Sequence, residues 1–271
     1  MTADFRPIET AHRRGAAIAM RAVTKSFGPA KGGYHALGPI SLDVRPGEFV
    51  SIIGPSGCGK STTMLIAAGL MSASQGQVEI DGAALDRPLT DVGIVFQDHL
   101  LLDFRTAIDN VMLQQQIRRL DRAVMLEKAR ELFRKLGLTG AEARYPRQLS
   151  GGMRQRVSIA RALVHEPSIL LMDEPFGALD AISRTQIRHD LERLWLDTQK
   201  TVLFITHSIE EAIGLSDRVL VMSQGPGRIV EEILVDLPRP RPAHLGHYPE
   251  FVAYADRIYA IFEKLGVYSF K

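Results

Sequence analysis

A glycine-rich segment at residues 54–61 constrains the fold of this chain more than any other feature. It has the sequence Gly-Pro-Ser-Gly-Cys-Gly-Lys-Ser and matches the pattern G-x-x-x-x-G-K-[ST]. The apolar run 49–53 precedes it and the helix-compatible segment 61–70 follows, so the local order is strand, loop, helix. In such a loop backbone N–H groups turn toward phosphates, and Lys60 adds a positive charge. The sequence therefore predicts a phosphate-binding loop.

The residues of this loop have distinct expected roles. Lys60 should face the β and γ phosphates of a nucleoside triphosphate, and Ser61 should offer its hydroxyl to Mg²⁺. Gly57, Gly59 and the first turn of the following helix should direct N–H groups and a positive dipole end at the anion. The predicted nucleotide-binding residues of the loop are Gly54, Pro55, Ser56, Gly57, Cys58, Gly59, Lys60, Ser61 and Thr62.

The composition is that of an ordinary globular protein. Hydrophobic residues make up 45% of the 271 residues, which is enough for a core. Lys and Arg number 33 against 31 Asp and Glu, so no basic excess indicates a nucleic-acid partner. The single cysteine, Cys58, excludes an intramolecular disulfide and suits a reducing cytosol. We interpret it as a small filler of the glycine-rich loop.

No segment of the sequence indicates a membrane span or a secretory signal. A spanning helix needs about 18 consecutive apolar residues, and no stretch approaches that length. Residues 1–15 are polar and lack the apolar core of a signal peptide. We therefore expect the chain to stay in the cytosol, so that any pore it serves belongs to another polypeptide.

Composition and periodicity predict three parts. Residues 1–15 carry mixed charge without periodicity, which predicts a flexible arm. Residues 16–224 alternate apolar runs with helical segments, which predicts an α/β domain with a mainly parallel sheet; within them, residues 98–166 predict an inserted helical subdomain. Residues 225–271 predict a strand, a proline-rich turn and an amphipathic helix. That helix should pack on its own domain, with a partner or dimer contact as the alternative.

The individual elements follow from the same patterns. Strands 18–23 and 40–44 should belong to a small β layer, and a glycine-rich loop at 28–33 separates them. The other expected strands are 49–53, 92–96, 169–172, 202–205, 219–222 and 229–235, and the expected helices include 61–70, 183–198 and 209–215, with a last one after Pro249.

A second motif narrows the interpretation to one superfamily. Residues 149–155 have the sequence Leu-Ser-Gly-Gly-Met-Arg-Gln, and the later run Ile-Leu-Leu-Met at 169–172 ends in Asp173-Glu174. In this order, the motifs resemble the nucleotide-binding subunit of an ATP-binding cassette (ABC) transporter. The resemblance implies a P-loop NTPase core with a mainly parallel sheet, an N-terminal antiparallel β layer and an inserted α-helical subdomain. It also implies ATP and Mg²⁺ as ligands, and ATP hydrolysis as the reaction.

Two adjacent acids are the first candidates for chemistry beyond the loop. Asp173 ends an apolar strand, where a carboxylate needs a cation or hydrogen-bond donors to offset its desolvation, and Mg²⁺ is the obvious cation. Glu174 resembles the family's catalytic carboxylate, which polarises the attacking water as a general base. A solvated turn containing two acids is the plainer alternative.

Two further polar residues each follow a predicted strand. Gln97 resembles the glutamine that senses Mg²⁺ and the attacking water and links them to the helical subdomain. His207 resembles the histidine that contacts the γ phosphate and holds the water and Glu174 in register. Without the other motifs, His207 would be interpreted as an ordinary packed or exposed histidine.

The second motif predicts a second phosphate-binding surface. Ser150, Gly151 and Gly152 begin a helix, so their N–H groups and the helix dipole can meet a phosphate, and Gln155 is included in this set. The family resemblance implies that two copies of the chain form a head-to-tail homodimer that encloses ATP between this surface and the partner's loop. Asp180 resembles the residue that communicates across that interface; alternatively, it caps the helix that starts near Ile182.

The adenine-binding residue has two candidates. Phe27 matches the position where the family usually has an aromatic residue that stacks on adenine, and Tyr34 competes with it. His244 and His247 could suggest a metal pair, but no further ligand is nearby in the sequence, so we expect none there.

Finer resemblance concerns a group of bacterial importers. Residues 172–180 and 225–228 resemble the nitrate, sulfonate, taurine and bicarbonate group, whereas residues 101–104, Leu-Leu-Asp-Phe, depart from the group's Leu-Pro-Trp segment. The resemblance implies a peripheral subunit on the cytoplasmic face of the bacterial inner membrane, coupled to permease subunits and through them to a solute-binding protein. The alternative is a cassette coupled to a non-transport membrane complex, which the identity of the partner would distinguish.

Overall fold

The computed structural model of the chain describes residues 15–29 and 32–267. Apart from Gly15, the predicted arm lies outside the described residues. Gly15 is buried, and its N–H group donates to the carbonyl of Gln199 at 3.2 Å. A Cβ atom on Gly15 would lie 2.1 Å from the hydroxyl of Thr201. Gly15, the last residue of the predicted arm, therefore packs against the folded domain.

The described strands form two sheets. A four-stranded antiparallel sheet has the order β2–β1–β4–β5, and a six-stranded sheet has the order β10–β9–β3–β8–β7–β6. In chain order, the strands are β1 (Ile18–Phe27), β2 (Tyr34–Val44), β3 (Phe49–Ile53), β4 (Gln75–Ile80), β5 (Ala83–Ala84), β6 (Val92–Val95), β7 (Ile169–Asp173), β8 (Thr201–Thr206), β9 (Arg218–Met222) and β10 (Ile229–Leu234).

The helices lie around the larger sheet and in the inserted subdomain. Within residues 15–29 and 32–267, none is both long and apolar enough to cross a membrane. In chain order, they are α1 (Lys60–Ala67), α2 (Ala107–Val111), α3 (Leu113–Arg118), α4 (Arg122–Lys135), α5 (Gly151–Leu163), α6 (Ala181–Thr198), α7 (Ile209–Leu215) and α8 (Pro249–Lys264).

The larger sheet brings the predicted site residues to one edge. Strands β3, β6, β7, β8 and β9 are parallel, while β10 pairs antiparallel with β9 at the margin. The carboxyl ends of parallel strands lie together, and ligands of open α/β sheets bind there. The loops that follow β3, β6, β7 and β8 therefore converge on a common region.

Several elements differ from the sequence predictions. Strands β1 and β2 are longer than expected because they pair as a hairpin as far as Phe27 and Tyr34. The predicted helix 61–70 ends at Ala67, and Gly69 follows with φ of 67°. Strand β4 was not predicted, because its sequence Gln-Gly-Gln-Val-Glu-Ile has a polar half and only one fully buried residue.

Aromatic side chains occupy the core between the larger sheet and its helices. The ring of Phe49 on β3 lies 5.8 Å from the rings of both Trp195 on α6 and Phe204 on β8. Phe49 and Phe204 are fully buried and Trp195 nearly so. Burying three such rings, each removing more than 100 Å² from water, contributes a large share of the core's stabilisation.

The C-terminal segment is continuous with the domain. Its strand β10 forms the edge of the larger sheet, and buried Phe251, Ile258 and Phe262 on α8 cluster with side chains of α7 and β9. In the proline-rich turn, the Arg241 N–H group donates to both carboxylate oxygens of Glu192, at 3.1 and 3.0 Å. The last helix therefore packs on its own domain, as its apolar spacing predicts.

Candidate active site

The glycine-rich loop joins β3 to α1 and is stabilised by its own lysine. The Lys60 ammonium donates to the carbonyls of Gly54 at 2.9 Å and Pro55 at 3.0 Å. Gly59 has φ of 100°, and a Cβ atom on it would lie 2.3 Å from Leu37. At Gly57, with φ of 76°, no atom lies within 4 Å of the Cβ position, so that residue faces open space. The loop is therefore held on one side by the Lys60 hydrogen bonds and the packing of Gly59 against Leu37. On the other side, at Gly57, it is open, and backbone N–H groups can bind an anion there.

Cys58 is fully buried in this loop, as its interpretation as a filler implies. Burial raises the pKa of its thiol, because the thiolate would lose its hydration. The nearby Lys60 charge opposes that shift without cancelling it. A neutral, buried thiol is a packing group, not a nucleophile.

Asp173, at the end of β7, fits a metal ligand. Burial raises the pKa of this carboxyl, and hydrogen bonding from Ser61 partly opposes the shift. Its Oδ1 atom is buried without a hydrogen-bond partner in the described part of the chain. A buried carboxylate oxygen without a donor is destabilising unless a cation neutralises it. The Ser61 hydroxyl and the Asp173 carboxylate are hard oxygen ligands of the kind Mg²⁺ prefers.

Glu174 follows directly and lies between Lys60 and His207. Its Oε1 atom is 3.8 Å from the Lys60 ammonium, and its Oε2 atom is 3.0 Å from His207 Nδ1. The Glu174 backbone has φ of 42°, and its N–H group donates to the Ile205 carbonyl at 2.8 Å. A left-handed conformation at a non-glycine residue is costly, and the hydrogen bond to Ile205 helps to hold Glu174 in it. The two acids therefore do not form the solvated turn of the plainer alternative.

The loop that carries His207 is held by a buried carboxylate. Thr206 donates its hydroxyl to Glu211 and accepts the N–H group of Ser208 at 3.0 Å. Glu211 is 4% exposed, and burial raises the pKa of its carboxyl, against the lowering effect of the Thr206 hydrogen bond. The Arg184 guanidinium of α6 lies 3.7 Å from Glu211. Sequence reasoning missed Arg184 and Glu211, because their connection spans two separate helices.

Gln97 lies at the same edge of the sheet, two residues beyond β6. Its side chain is exposed, and Nε2 is 3.9 Å from the position a Cβ atom on Gly177 would take. The Oε2 atom of Glu174 is at the same distance from that position. Gln97, Glu174 and the 175–177 loop are thus neighbours, as the sequence predicts.

The second motif begins a helix with an open N-terminus. Ser150 is the N-cap of α5, and its hydroxyl accepts the N–H group of Met153 at 3.2 Å. No atom lies within 4 Å of a Cβ position on Gly151, whereas Gly152 packs beside Ser183 of α6. The first turn of α5 can therefore receive an anion from outside the chain.

Gln155 does not share this surface. It is 1% exposed, and its Oε1 atom lies 3.0 Å from His99 Nδ1. Helical spacing turns Gln155 into the subdomain, while Ser150 and Gly151 remain at the surface. The prediction that Gln155 contacts a phosphate with the second motif is therefore not supported by its position, and Gln155 instead packs inside the subdomain.

Asp180 caps helix α6. This is the alternative to an interface role that its position before the helix predicts. Its Oδ1 atom accepts the N–H groups of Ile182 at 3.1 Å and Ser183 at 3.0 Å. Hydrogen bonding from Ser183 holds the pKa of this carboxyl below its usual value. Asp180 remains exposed, and the neighbouring Ile182 is 84% exposed, so the surface role predicted for Asp180 is compatible with the cap.

The two adenine candidates lie side by side across the β1–β2 hairpin. Phe27 and Tyr34 are register partners, 41% and 58% exposed. The Lys25 ammonium lies 5.1 Å from the centre of the Phe27 ring. Tyr34 lines a cavity of about 470 Å³ together with Ser56 and Gly57 of the glycine-rich loop. Phe27 is not among the residues that line this cavity.

The arrangement has the parts of a phosphoryl-transfer site. A positive loop can hold the phosphates, a carboxylate stands where it can accept a proton from water, and a histidine orients that carboxylate. Ser61, Asp173 and Gln97 are the residues that could hold Mg²⁺, whose charge would neutralise phosphate oxygens. Fold and site together define a P-loop ATPase with an inserted helical subdomain.

Comparison with known proteins identifies the family. Residues 37–177 match the ABC transporter family, and the chain belongs to it. It is an ATPase that uses ATP with Mg²⁺. An uncharacterized ABC transporter ATP-binding protein of Methanocaldococcus jannaschii is 46% identical over 76% of this chain and 77% of its own length.

Two further relatives are named as ATP-binding proteins of importers. An aliphatic sulfonates import ATP-binding protein of Bacillus licheniformis is 39% identical over 94% of this chain and 97% of that protein. A taurine import ATP-binding protein of Escherichia coli is 41% identical over 88% and 96%, respectively. The resemblance to the sulfonate and taurine group is thereby confirmed.

Solved structures confirm the fold. A dimeric ABC transporter cassette has a TM-score of 0.73 at 33% identity, covering 82% of this chain and all of that one. A post-hydrolysis state of the same cassette, bound to ADP and phosphate, has a TM-score of 0.72 at 32% identity over the same 82% and 100%.

Proposed function

We propose that the chain is the energy-coupling subunit of an importer for a small anionic solute of the sulfonate or taurine type. The observation that supports this most strongly is the near-complete overlap with an aliphatic sulfonates import protein, which spans 94% of this chain. The wider group of candidate solutes includes nitrate and bicarbonate. ATP hydrolysis supplies the free energy, and the solute never needs to contact this chain.

In the proposed cycle, two copies of the chain enclose two ATP molecules. Each copy binds phosphates on its own Lys60 loop and covers the other's nucleotide with Ser150 and Gly151. The open N-terminus of α5 supports this arrangement, because the free N–H groups and the dipole of its first turn need an anion from outside. ATP contacts both copies only when they are closed, so binding shifts the population toward the closed dimer.

Within each site, Glu174 acts as the general base that takes a proton from the attacking water. His207 holds the Glu174 carboxylate through their 3.0 Å contact, and Lys60 faces the phosphates. Asp173, Ser61 and Gln97 hold Mg²⁺. Asp180 communicates between copies from the exposed start of α6. The roles of Lys60, Gln97, Asp173, Glu174 and His207 are supported by their positions after parallel strands, at one edge of the larger sheet.

The proposed partners are permease subunits at the cytoplasmic face of the inner membrane and, through them, a solute-binding protein. Leu100 and Phe104 support a protein contact next to Gln97, because they are 57% and 75% exposed. Both are large apolar side chains on the surface and follow Gln97 by three and seven residues in the sequence, which favours an interface there. A permease element seated there would sense Gln97 directly.

Identification of the partner tests this proposal. The chain is tagged, native membranes are solubilised gently, and co-purifying proteins are identified by mass spectrometry. We expect a multi-span permease, and ATPase activity of the reconstituted complex that rises when a solute-binding protein is added with taurine or an alkyl sulfonate. Recovery of a bitopic or cell-division partner without a permease would overturn the importer assignment while leaving the ATPase intact. Phe104→Asp should abolish co-purification, and Ile117→Asp, at another exposed apolar residue, is its control.

A further inference from the structure

The turn between β9 and β10, residues 223–228, contacts the nucleotide-binding part of the fold. The Gly227 N–H group donates to the Ala36 carbonyl at 3.0 Å, and the Gly38 N–H group donates to the Gly227 carbonyl at 2.9 Å. These two bonds tie the turn to β2, the strand that begins with Tyr34. A segment far along the chain is thereby held against the antiparallel sheet.

The same turn also contacts the phosphate-binding loop. A Cβ atom on Gly227 would lie 1.9 Å from the carbonyl oxygen of Cys58, and 2.5 Å from Met222. Real Cβ atoms do not approach an oxygen so closely, so only glycine permits this contact. Gly227 therefore lets the turn lie directly on the back of the loop whose front faces the phosphates.

The position of this turn creates one wall of the cavity beside Tyr34. The Tyr34 hydroxyl lies 3.4 Å from the Cβ position of Gly225, so ring and turn are in contact distance. Gln224, Gly225 and Pro226 are all exposed. The cavity of about 470 Å³ is bounded by Tyr34 from β2, by Ser56 and Gly57 from the loop, and by Gln224, Gly225 and Pro226 from the turn.

We propose that Gln224, Gly225 and Pro226 form a wall of the nucleobase subsite and that the Gln224 amide reads the edge of adenine. Ser56 and Gly57 of the phosphate-binding loop line this cavity together with Tyr34, so it can receive the base of a nucleotide whose phosphates lie on the loop. The rings of Tyr34 and Pro226 both line it and can pack on a planar base. An amide donates and accepts at once, which matches the N6 donor and N7 acceptor of adenine but not the two acceptors of guanine.

Three probes distinguish the contribution of this wall to binding from that of the phosphate-binding loop. The ATP analogue AMP-PNP has base and phosphates, GMP-PNP exchanges the base, and inorganic triphosphate has no base. Binding of each is measured by calorimetry with Mg²⁺ for the full chain and for Gln224→Ala. We expect AMP-PNP to bind about tenfold more weakly, because both hydrogen bonds of the amide to the base are lost, while GMP-PNP and triphosphate change less than about twofold.

The matched control is Gln77→Ala, which removes an exposed glutamine on β4 and should change none of the three affinities. A second variant, Gly225→Val, narrows the cavity beside Tyr34. It should weaken the binding of both nucleotide analogues but leave that of triphosphate unchanged. Its control is Gly246→Val, at a glycine with no atom within 4 Å of its Cβ position. Unchanged AMP-PNP binding in Gln224→Ala would remove the base-reading role. Equal loss of triphosphate affinity, or no effect of Gly225→Val, would overturn the wall itself.

Discussion

The Nδ1 atom of His207 lies 3.0 Å from the Oε2 atom of Glu174, although the two residues follow different strands. Strands β7 and β8 are parallel neighbours, so the residues that follow them meet at the same edge of the sheet. The Glu174 side chain is 18% exposed and that of His207 is 55% exposed. The more exposed imidazole is therefore in hydrogen-bonding distance of the more buried carboxylate.

Replacing Glu174 with Gln should abolish turnover but preserve nucleotide binding. The amide has the shape of the carboxylate but cannot accept a proton, so kcat should fall by at least about 100-fold. The Kd for ATP, measured by equilibrium dialysis at low temperature, should change less than about threefold. Glu210→Gln, at a half-exposed acid on α7, is the control. Normal hydrolysis by the Glu174 variant would exclude it as the base.

Asp173→Asn should stabilise the ligand-free protein at pH 7. The folded-state pKa of Asp173 is raised, so its contribution to stability is complete below the unfolded pKa and is lost as pH rises through the folded pKa. At neutral pH the desolvated charge of Asp173 is therefore a net cost that the amide removes. We expect Tm to rise by about 2 °C without ligands, since about 1 kcal/mol corresponds to a few degrees in a domain of this size.

The same variant should lose the gain in Tm that Mg²⁺ with AMP-PNP gives the original protein, because the metal ligand is missing. Asp103→Asn, at an exposed acid, should neither raise the Tm of the ligand-free protein nor reduce the gain in Tm with Mg²⁺ and AMP-PNP. A lower Tm for ligand-free Asp173→Asn would contradict the argument that the site carries an uncompensated charge.

Glu211 should act on turnover through the loop of His207. In Glu211→Ala the Thr206 hydroxyl loses its acceptor and Arg184 loses its counter-charge, so the loop becomes less ordered. We expect kcat to fall about tenfold, with the Kd for ATP unchanged, because a mispositioned group raises the barrier without touching the phosphates. Glu211→Gln keeps an acceptor for Thr206 and should recover most of the activity. Equal activity of the alanine and glutamine variants would remove this positioning role.

His165 should make the fold sensitive to acid. Burial is the main cause that lowers its pKa from 6.5 to about 4, and the Arg118 charge adds to the shift. The stability gained from the neutral imidazole is complete above pH 6.5 and is lost as pH falls through the folded pKa of about 4. Across that window, the loss should approach about 3 kcal/mol.

Urea unfolding between pH 7 and pH 4 measures this effect. His165→Gln keeps a donor for the Val92 carbonyl, which now lies 3.1 Å from Nε2, but has no titrating group. Its stability should therefore fall less steeply than that of the original chain. His247→Gln, at an exposed histidine, should follow the original curve. Parallel curves for the His165 variant and the original chain would refute the assignment.

From the sequence, the candidate site residues could be located more readily than the contacts that hold them in place. The loop at 54–61, the acids at 173–174 and His207 each follow an apolar strand, and a parallel sheet brings such positions together whatever its detailed strand order. The family motifs supplied the roles. What could be predicted was therefore local: a residue type at the end of a recognisable element.

Long-range contacts could not be predicted in this way. Arg184 and Glu211 belong to two helices whose packing sets their 3.7 Å contact, and Gly227 matters only because its turn lies on Cys58. Gln155 was placed with Ser150 from sequence proximity, but helical geometry turns it inward, where it meets His99. Neither charge nor periodicity in one segment carries such information.

Sedimentation of the Glu174→Gln variant tests the central claim, that two copies close around ATP, most directly. The chain has a mass of 30.0 kDa, and we expect the variant with ATP and Mg²⁺ to sediment at twice that mass and to return to the single mass when ATP is removed. Adding Ser150→Arg to the same chain should prevent the doubling while its own Lys60 loop still binds ATP. A mass that stays at 30.0 kDa with ATP bound, or a dimer indifferent to Ser150→Arg, would contradict the composite site.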